Sequence, residues 1–398
     1  MRISSNTLFD SNVAALNQQQ SRLMQTQQQI ATGHRILTPS DDPIAASRAL
    51  DVSHADAMNT QYTSNRNAAI QTLTMSDSAL QGVVSILQDL RTATVDASSS
   101  LMGPAERKTM AADMNTWLQE LVGLANSTDG QGGYLFAGFQ TKTQPFVDTA
   151  AGVSYQGDDG QRNVQVSASL QMATSDSGAD VFMRVKNGNG AFTSTATATN
   201  TGSGVISVGS VTDPALLTGN SYSVTFKVVA GVTTYDVMNT TTAAVVSAGN
   251  AYVGGQAISF DGMQIDVKGV PANNDVFTVV PSTNQGLFKT ISDLVNALNA
   301  PVVGANLSNS LLHGINNLDN AIEKIAGSRS SVGLRLNEID IQQTVGDNTG
   351  LQLKSTLSKL QDTDYNKAAT ELAQQNLILQ AAQQSFVKVS NLSLFSYL

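Results

Sequence analysis

Apolar side chains recur every seventh residue at both ends of the chain and every second residue through its middle. Phe9, Leu16, Leu23, Ile30 and Leu37 form one row, with Val13, Gln20, Gln27 and His34 four places on. One rung is apolar and the other mostly amide, which predicts a narrow coiled-coil seam of low stability by itself. Gly33 is the natural stop of this helix and Pro39 bars its continuation. At the other end Tyr365, Leu372, Leu379 and Phe386 repeat at seven, and Ala368, Gln375, Ala382 and Val389 fill the second rung. Each segment is roughly 35 residues, about 50 Å of helix at 1.5 Å per residue. Two matched amphipathic helices at opposite chain ends most simply pair with each other. Leu377, Ile378, Leu392 and Leu394 lie off that seam and need other partners.

Further in, three more helical stripes appear. Ile70, Leu73, Leu80, Val84 and Leu87 make the first. After Gly103-Pro104, a helix start with proline in the first turn, Met110, Met114, Trp117, Leu121 and Leu124 make the second. Leu307, Leu311, Leu318, Ile322, Ile325, Val332, Leu336 and Ile339 make the third. Residues from about 143 to 285 alternate apolar and polar instead, as in "SYSVTFKVV" and "AISFDGMQIDV", cut by "DG" and "PANND". The fold class expected is α+β: a long helical bundle or coiled coil formed by the N- and C-terminal segments, with an inserted β-rich middle region. The expected divisions are 1–40 with 361–398 as the terminal helices, 41–142 with 286–360 as a helical bundle, 143–186 as a small β unit, and 187–285 as an outer β-rich module. The module's start, "NGNGAFTSTATATNTGSG", reads as a low-complexity linker.

Composition narrows the function classes. The net charge is −9, which disfavours a nucleic-acid binder. Residues 143–285 hold ten Asp, no Glu and five basic residues, so the acidity concentrates in the middle region, which is expected outermost. Only 13% of residues are charged, against about 25% in a typical domain, a surface suited to close packing of many copies. There is no cysteine, hence no disulfide and no thiolate metal site. The start lacks a secretory signal's apolar core, and no apolar run approaches the roughly 20 residues that span a bilayer. Neither membrane insertion nor the general secretory route is expected.

Candidate chemistry is sparse. "PSDDP" sets Asp41 and Asp42 beside each other, and paired acids can bind a metal or share a proton. Capping accounts for the same residues: Ser40 or Asp42 caps a helix whose first turn contains Pro43, acids there favour the helix dipole, and Pro39 ends the preceding segment. His34, His54 and His313 are isolated in sequence and read as exposed or helix-end residues, without zinc-ligand spacing. Asp158-Asp159-Gly160 reads as a tight hairpin turn. "GQGGYLFAG" lacks the spacing of a phosphate-binding loop. No catalytic constellation and no cofactor site emerge, so an enzyme is not expected.

"RIS" at residues 2–4, "QQQIATGHRILTPSDDPIAASRAL", "LANSTDGQGGYLFAGFQTKTQPF" and "LILQAAQQSFVKVSNLSLFSYL" occur in that order. Together they resemble the hook-associated protein 3 family of the flagellin superfamily, the hook–filament junction proteins of bacterial flagella. The resemblance covers about residues 1–185 and 285–398, and leaves 187–285 as an added outer β module. It implies a structural subunit of the extracellular flagellum, exported through the flagellum's own channel without a cleaved signal, with an export chaperone and the export apparatus as transient partners. It implies terminal segments that are largely disordered in the monomer and become helices on assembly, lining the inner tube. The implied partners are sister copies, hook-associated protein 1 and flagellin. Phe9, Leu16, Leu23, Ile30, Leu372, Leu379, Phe386 and Val389 are then the expected assembly residues, and Pro39, Ser40, Asp41, Asp42 and Pro43 the punctuation between inner helix and outer bundle. Two other readings stay open: flagellin itself, and an adhesive or glycan-binding role for the middle region.

Overall fold

The computed structural model of the chain describes residues 5–98, 102–301 and 304–391. "RIS" and the leucines at 392 and 394 lie outside the described residues. The chain divides into two compact units, residues 1–64 with 341–398, and residues 65–340. The divisions fall within two long helices, α2 (Pro43–Ala97) and α5 (Ala305–Gln361). Among the described residues no helix is long and apolar enough to cross a membrane.

In the first unit, α1 (Ser5–Thr32) packs along α6 (Tyr365–Asn391). The pairing is antiparallel. Phe9 meets Phe386 at 5.1 Å between ring centroids, Gln19 Nε2 donates to the Gln375 carbonyl, and Thr363 Oγ1 donates to the Gln29 carbonyl.

In the second unit, α2, α3 (Pro104–Ala125), α4 (Leu287–Asn299) and α5 share one core containing Leu80, Leu87, Met114, Leu121, Ile291, Leu311 and Ile325. The three inner stripes all face inward: Leu73, Leu80, Leu87, Met114, Leu318 and Val332 have no accessible surface. One end of this core is aromatic. Phe146 packs on Phe182, Tyr155 and Phe288 at 5.2–5.3 Å between centroids. The "YLFAG" stretch supplies Leu135 and Phe136 to the core, and Ala137 beside them is also buried.

Two small hairpins follow: β1 (Phe146–Thr149) with β2 (Gly152–Tyr155), and β3 (Asn163–Ser167) with β4 (Leu170–Ala173). Asp158-Asp159-Gly160 is therefore not a hairpin turn, because β2 and β3 do not pair with each other. It is a connection fixed by Asp158 Oδ1, which accepts the amides of Phe139 and Gly160. The glycine of "YLFAG", Gly138 at φ +71°, lies so close that a Cβ there would meet Asp158 Oδ1 at 2.1 Å.

After the short β5 (Val185–Lys186) come β6 (Phe192–Ala196), β7 (Val205–Ile206), β8 (Ser210–Val211), β9 (Tyr222–Val229), β10 (Val232–Asn239), β11 (Ala244–Ala251), β12 (Ala257–Phe260), β13 (Met263–Lys268) and β14 (Val276–Pro281). They form an antiparallel sheet in the order β11-β10-β9-β14-β6 and a smaller sheet β12-β13-β7, with β8 also on β13. The two share a core of Tyr222, Phe226, Ile265, Val267 and Phe277. β15 (Asn284–Gln285) pairs with β5 at the module's base.

The segment 187–204, expected as a linker, is instead part of this module. Its residues 192–196 pair with β14 along their length, and Phe192, Thr193 and Ser194 are buried. Its glycines serve geometry rather than mobility. Gly188 (φ +61°) would place a Cβ 2.2 Å from the Phe192 carbonyl oxygen, and Gly202 would place one 2.3 Å from the Ala272 amide nitrogen. Only glycine fits such approaches.

Candidate assembly interface

Along α1 the half-buried and buried positions, among those described, are Asn12, Val13, Leu16, Gln19, Leu23, Thr26, Gln29 and Ile30. Of the expected apolar row, Leu16, Leu23 and Ile30 are half-buried, while Phe9 is 48% exposed although its ring meets Phe386. Its companion rung is Asn12, Gln19 and Thr26, three places after each apolar residue, while Gln20 and Gln27 are exposed. Of the rung expected four places on, Val13 is half-buried, and beyond it the inner positions fall one residue earlier. A 3.6-residue helix places i+3 and i+4 almost symmetrically about the seam, and at Asn12 and Val13 both positions are half-buried. On α6 the second rung lies where expected, with Ala368 buried and Gln375 and Ala382 half-buried. Leu372, Leu379 and Phe386 are half-buried on the seam. The side chain of Val389 lies outside the described residues.

This pair is thinly packed. In the whole of the first unit the buried apolar residues, among those described, are three alanines: Ala45, Ala49 and Ala368. Among the described residues, none of the three apolar cores contains a residue of this unit. Large side chains stand in solvent instead, with Leu50 71%, Leu351 69% and Leu377 67% exposed. A cavity of about 410 Å³ lies along the seam between Leu16, Gln19, Ile378, Ala382 and Phe386. The arrangement offers apolar surface for further packing.

The two helix breaks of this unit are laced together. α1 stops at Gly33, whose φ of +74° suits glycine, and whose carbonyl accepts the Thr363 amide at 2.8 Å. The Arg35 amide donates to the Gln361 carbonyl, and its guanidinium donates to the Leu360 carbonyl at 3.0 Å while lying 3.5 Å from the Asp42 carboxylate. Arg35 thus satisfies the carbonyl end of α5 and the acidic start of α2 at once. Sequence reasoning passed over Arg35; the signal available was a cation just after a helix-ending glycine.

The two acids of "PSDDP" serve separate networks. Asp42 caps α2, accepting the Ala45 amide at 3.0 Å, with Pro43 as the first helical residue. Asp41 accepts the amides of Thr38 and Leu37 at 2.9 and 3.0 Å and the Gln25 side chain at 3.1 Å. The Thr38 amide foremost, then that of Leu37, holds the Asp41 carboxyl below the usual carboxylate range. Ser40 is no cap; its hydroxyl bonds that of Thr38, and Pro39 is exposed. Asp364 caps α6 in the same way, accepting the amides of Asn366 and Lys367. Among the described residues no group of three or more His, Asp or Glu side chains gathers in metal-binding geometry.

His34 and His54 are exposed, as isolated histidines predict. His313 is not: it is a partly buried mid-helix residue of α5, bonded to Thr193 of β6 and to Asn317.

The chain's likenesses to known proteins agree with this geometry. The N-terminal helical region of bacterial flagellin matches residues 3–141 and its C-terminal helical region residues 315–398. Residues 195–281 match the D2-like domain of flagellar hook-associated protein 1. Flagellar hook-associated protein 3 of Salmonella typhimurium is 25% identical over 400 residues and that of Escherichia coli 27% over 395, each alignment covering 99% of both chains. Among solved structures, the flagellar junction protein FlgL of Legionella pneumophila is 29% identical with a TM-score of 0.72, covering 79% of this chain and 100% of that one. FlgL of Xanthomonas campestris is 32% identical, also with a TM-score of 0.72, covering 77% and 99%. A helical frame matching flagellin at both ends, and relatives matching along their full length, place the chain in the flagellar hook-associated protein 3 family.

Proposed function

We propose that this chain is a structural subunit of the bacterial flagellum that joins hook to filament by polymerising through its terminal helices. Sister copies pack side by side in the flagellar axis, hook-associated protein 1 lies on one side of them and flagellin on the other. The observation that carries this reading is the near-empty interior of the first unit, where three alanines are the buried apolar residues among those described. Ordering a residue costs roughly 1–2 kcal/mol of backbone entropy, and half-buried seam residues offset little of it. Neighbours that cover Leu50, Leu351 and Leu377 supply the missing burial. Free subunits then stay soluble and joined ones lock.

Export follows the same logic. A chain whose ends are loosely held passes through the flagellum's own channel to the cell exterior, with an export chaperone covering the apolar face of α6 beforehand. Genetics tests the assignment. Loss of a junction subunit leaves the filament unanchored, so cells lacking this chain should release flagellin monomers into the medium and fail to swim. Restoring the full chain should rescue both defects, and restoring a chain cut before residue 364 should rescue neither. Retention of flagellin by the null strain would refute the junction role. Assembly of the shortened chain would refute the role of the terminal pair.

A further inference from the structure

The outer β module is held on α5 by a polar stripe that the hydrophobic pattern did not reveal. Asn306, Asn309, His313, Asn317 and Asn320 recur at three- and four-residue spacing along one face of the helix. Asn306 Nδ2 donates to the Asn200 carbonyl at 3.0 Å; Asn309 accepts the Ile206 amide at 2.9 Å and donates to the Gly204 carbonyl at 3.0 Å. Asn317 Oδ1 accepts the Gly188 amide at 3.0 Å, and Asn320 Nδ2 donates to the Gly188 carbonyl at 2.7 Å. The stripe reads the backbone of residues 188–206, and a cavity of about 400 Å³ runs beside it between β6, α4 and α5. Directional bonds beside an open cavity are easily exchanged for water, unlike apolar packing.

His313 sits in this stripe in a fixed protonation state. A backbone amide only donates, so the Asn317 oxygen must face Gly188 and the Asn317 nitrogen must face His313 Nδ1, 3.2 Å away. That nitrogen also only donates, so Nδ1 accepts and the ring proton is on Nε2, donated to Thr193 Oγ1 at 2.9 Å. A second ring proton would point at the Asn317 N–H group.

We propose that His313 and Asn317 form an acid-sensitive latch: protonation of the ring sets two donors against each other and releases the β module's first segment, residues 188–206, from α5. Burial pushes the imidazole below its ordinary 6.5, and the Asp293 carboxylate of α4 opposes this with a smaller effect. Asp293 is itself paired with Lys289 at 2.8 Å, and no further titratable side chain lines the cavity among the described residues. The released form therefore takes up a proton that the docked form refuses. Docking is complete above about pH 6.5 and weakens below it, by about tenfold per pH unit while the docked ring stays neutral.

Hydrogen–deuterium exchange of the intact chain at about pH 7.5 and about pH 5, corrected for intrinsic rates, tests the latch. The amides of Gly188 and Ile206, which Asn317 and Asn309 accept, should lose protection by about tenfold or more in acid, while those of β9 and β10 keep theirs. His313→Gln retains an acceptor toward Asn317 and a donor toward Thr193 and cannot take a proton, so its Gly188 and Ile206 amides should be indifferent to pH. Asn317→Asp still accepts from Gly188 and pairs with the imidazolium, so it should hold in acid. Unchanged protection of the wild type at about pH 5 would overturn the proposal. So would an undiminished acid response in either variant, or an equal loss in β9 and β10, which would mean that the module unfolds rather than lets go.

Discussion

Leu379→Asp separates a residue that stabilises the assembled form from one that stabilises the free chain. Leu379 is half-buried on α6, between the half-buried Gln375 and Ala382 of the second rung. Full burial of a leucine side chain contributes about 1.5–3 kcal/mol, so roughly 1 kcal/mol of pairing is lost with the side chain. Holding a carboxylate in its place adds roughly 1–3 kcal/mol of desolvation. The loss, about 2–4 kcal/mol, is confined to the terminal pair, because among the described residues every member of the three apolar cores lies within 65–340. The main calorimetric transition of the isolated protein should therefore move by less than about 2 °C, where a 1 kcal/mol loss within that unit would shift it by about 2–4 °C. In the flagellum the same loss weakens each contact by about 30-fold or more. The mutant strain should swim poorly and spill flagellin into the medium, as measured by immunoblot of culture supernatants. A drop of more than about 5 °C in the main transition would show that α6 is already integral to the free fold. Normal assembly would show that the seam does not matter.

Other perturbations address the joints. Asp42→Ala removes the cap of α2 and should cost about 1 kcal/mol, read as faster amide exchange in its first turn with the core of the second unit unaffected. Gly188→Ala forces a Cβ to within 2.2 Å of the Phe192 carbonyl at φ +61°, whereas Gly190→Ala, at φ +85°, meets open space. The second should cost about 1–2 kcal/mol of backbone strain and the first distinctly more, by denaturant titration. Asp41, whose carboxyl lies below its ordinary 3.8, contributes stability that is fully present above that value and is lost as pH falls through its lowered one. The exchange of residues 34–41 should therefore be unchanged at about pH 5, where the Gly188 and Ile206 amides are released.

Much of this architecture is legible in the sequence because periodicity reports burial directly. The stripes through Leu80, Met114 and Leu318 face the core since nothing but packing demands leucine and methionine at those intervals. "PSDDP" is legible as punctuation because capping chemistry is local. Three features were not legible, each for a physical reason. The inner rung of α1 is Asn12, Gln19 and Thr26, residue types that read as surface because a thin seam does not require apolar side chains. Residues 187–204 look like a linker by composition, yet their hydroxyls and glycines are used where backbone approaches backbone. His313 looks isolated because its partner Thr193 is 120 residues away along the chain.

Amide exchange on dilute, isolated protein tests the central claim most directly, that the terminal helices are completed by neighbouring copies. Residues 5–32 and 365–391 should exchange within seconds while α2 to α5 inside 65–340 remain protected for hours, and the same terminal amides should become protected in assembled flagella. Protection of both terminal helices in the dilute monomer, equal to that of the second unit, would contradict the account.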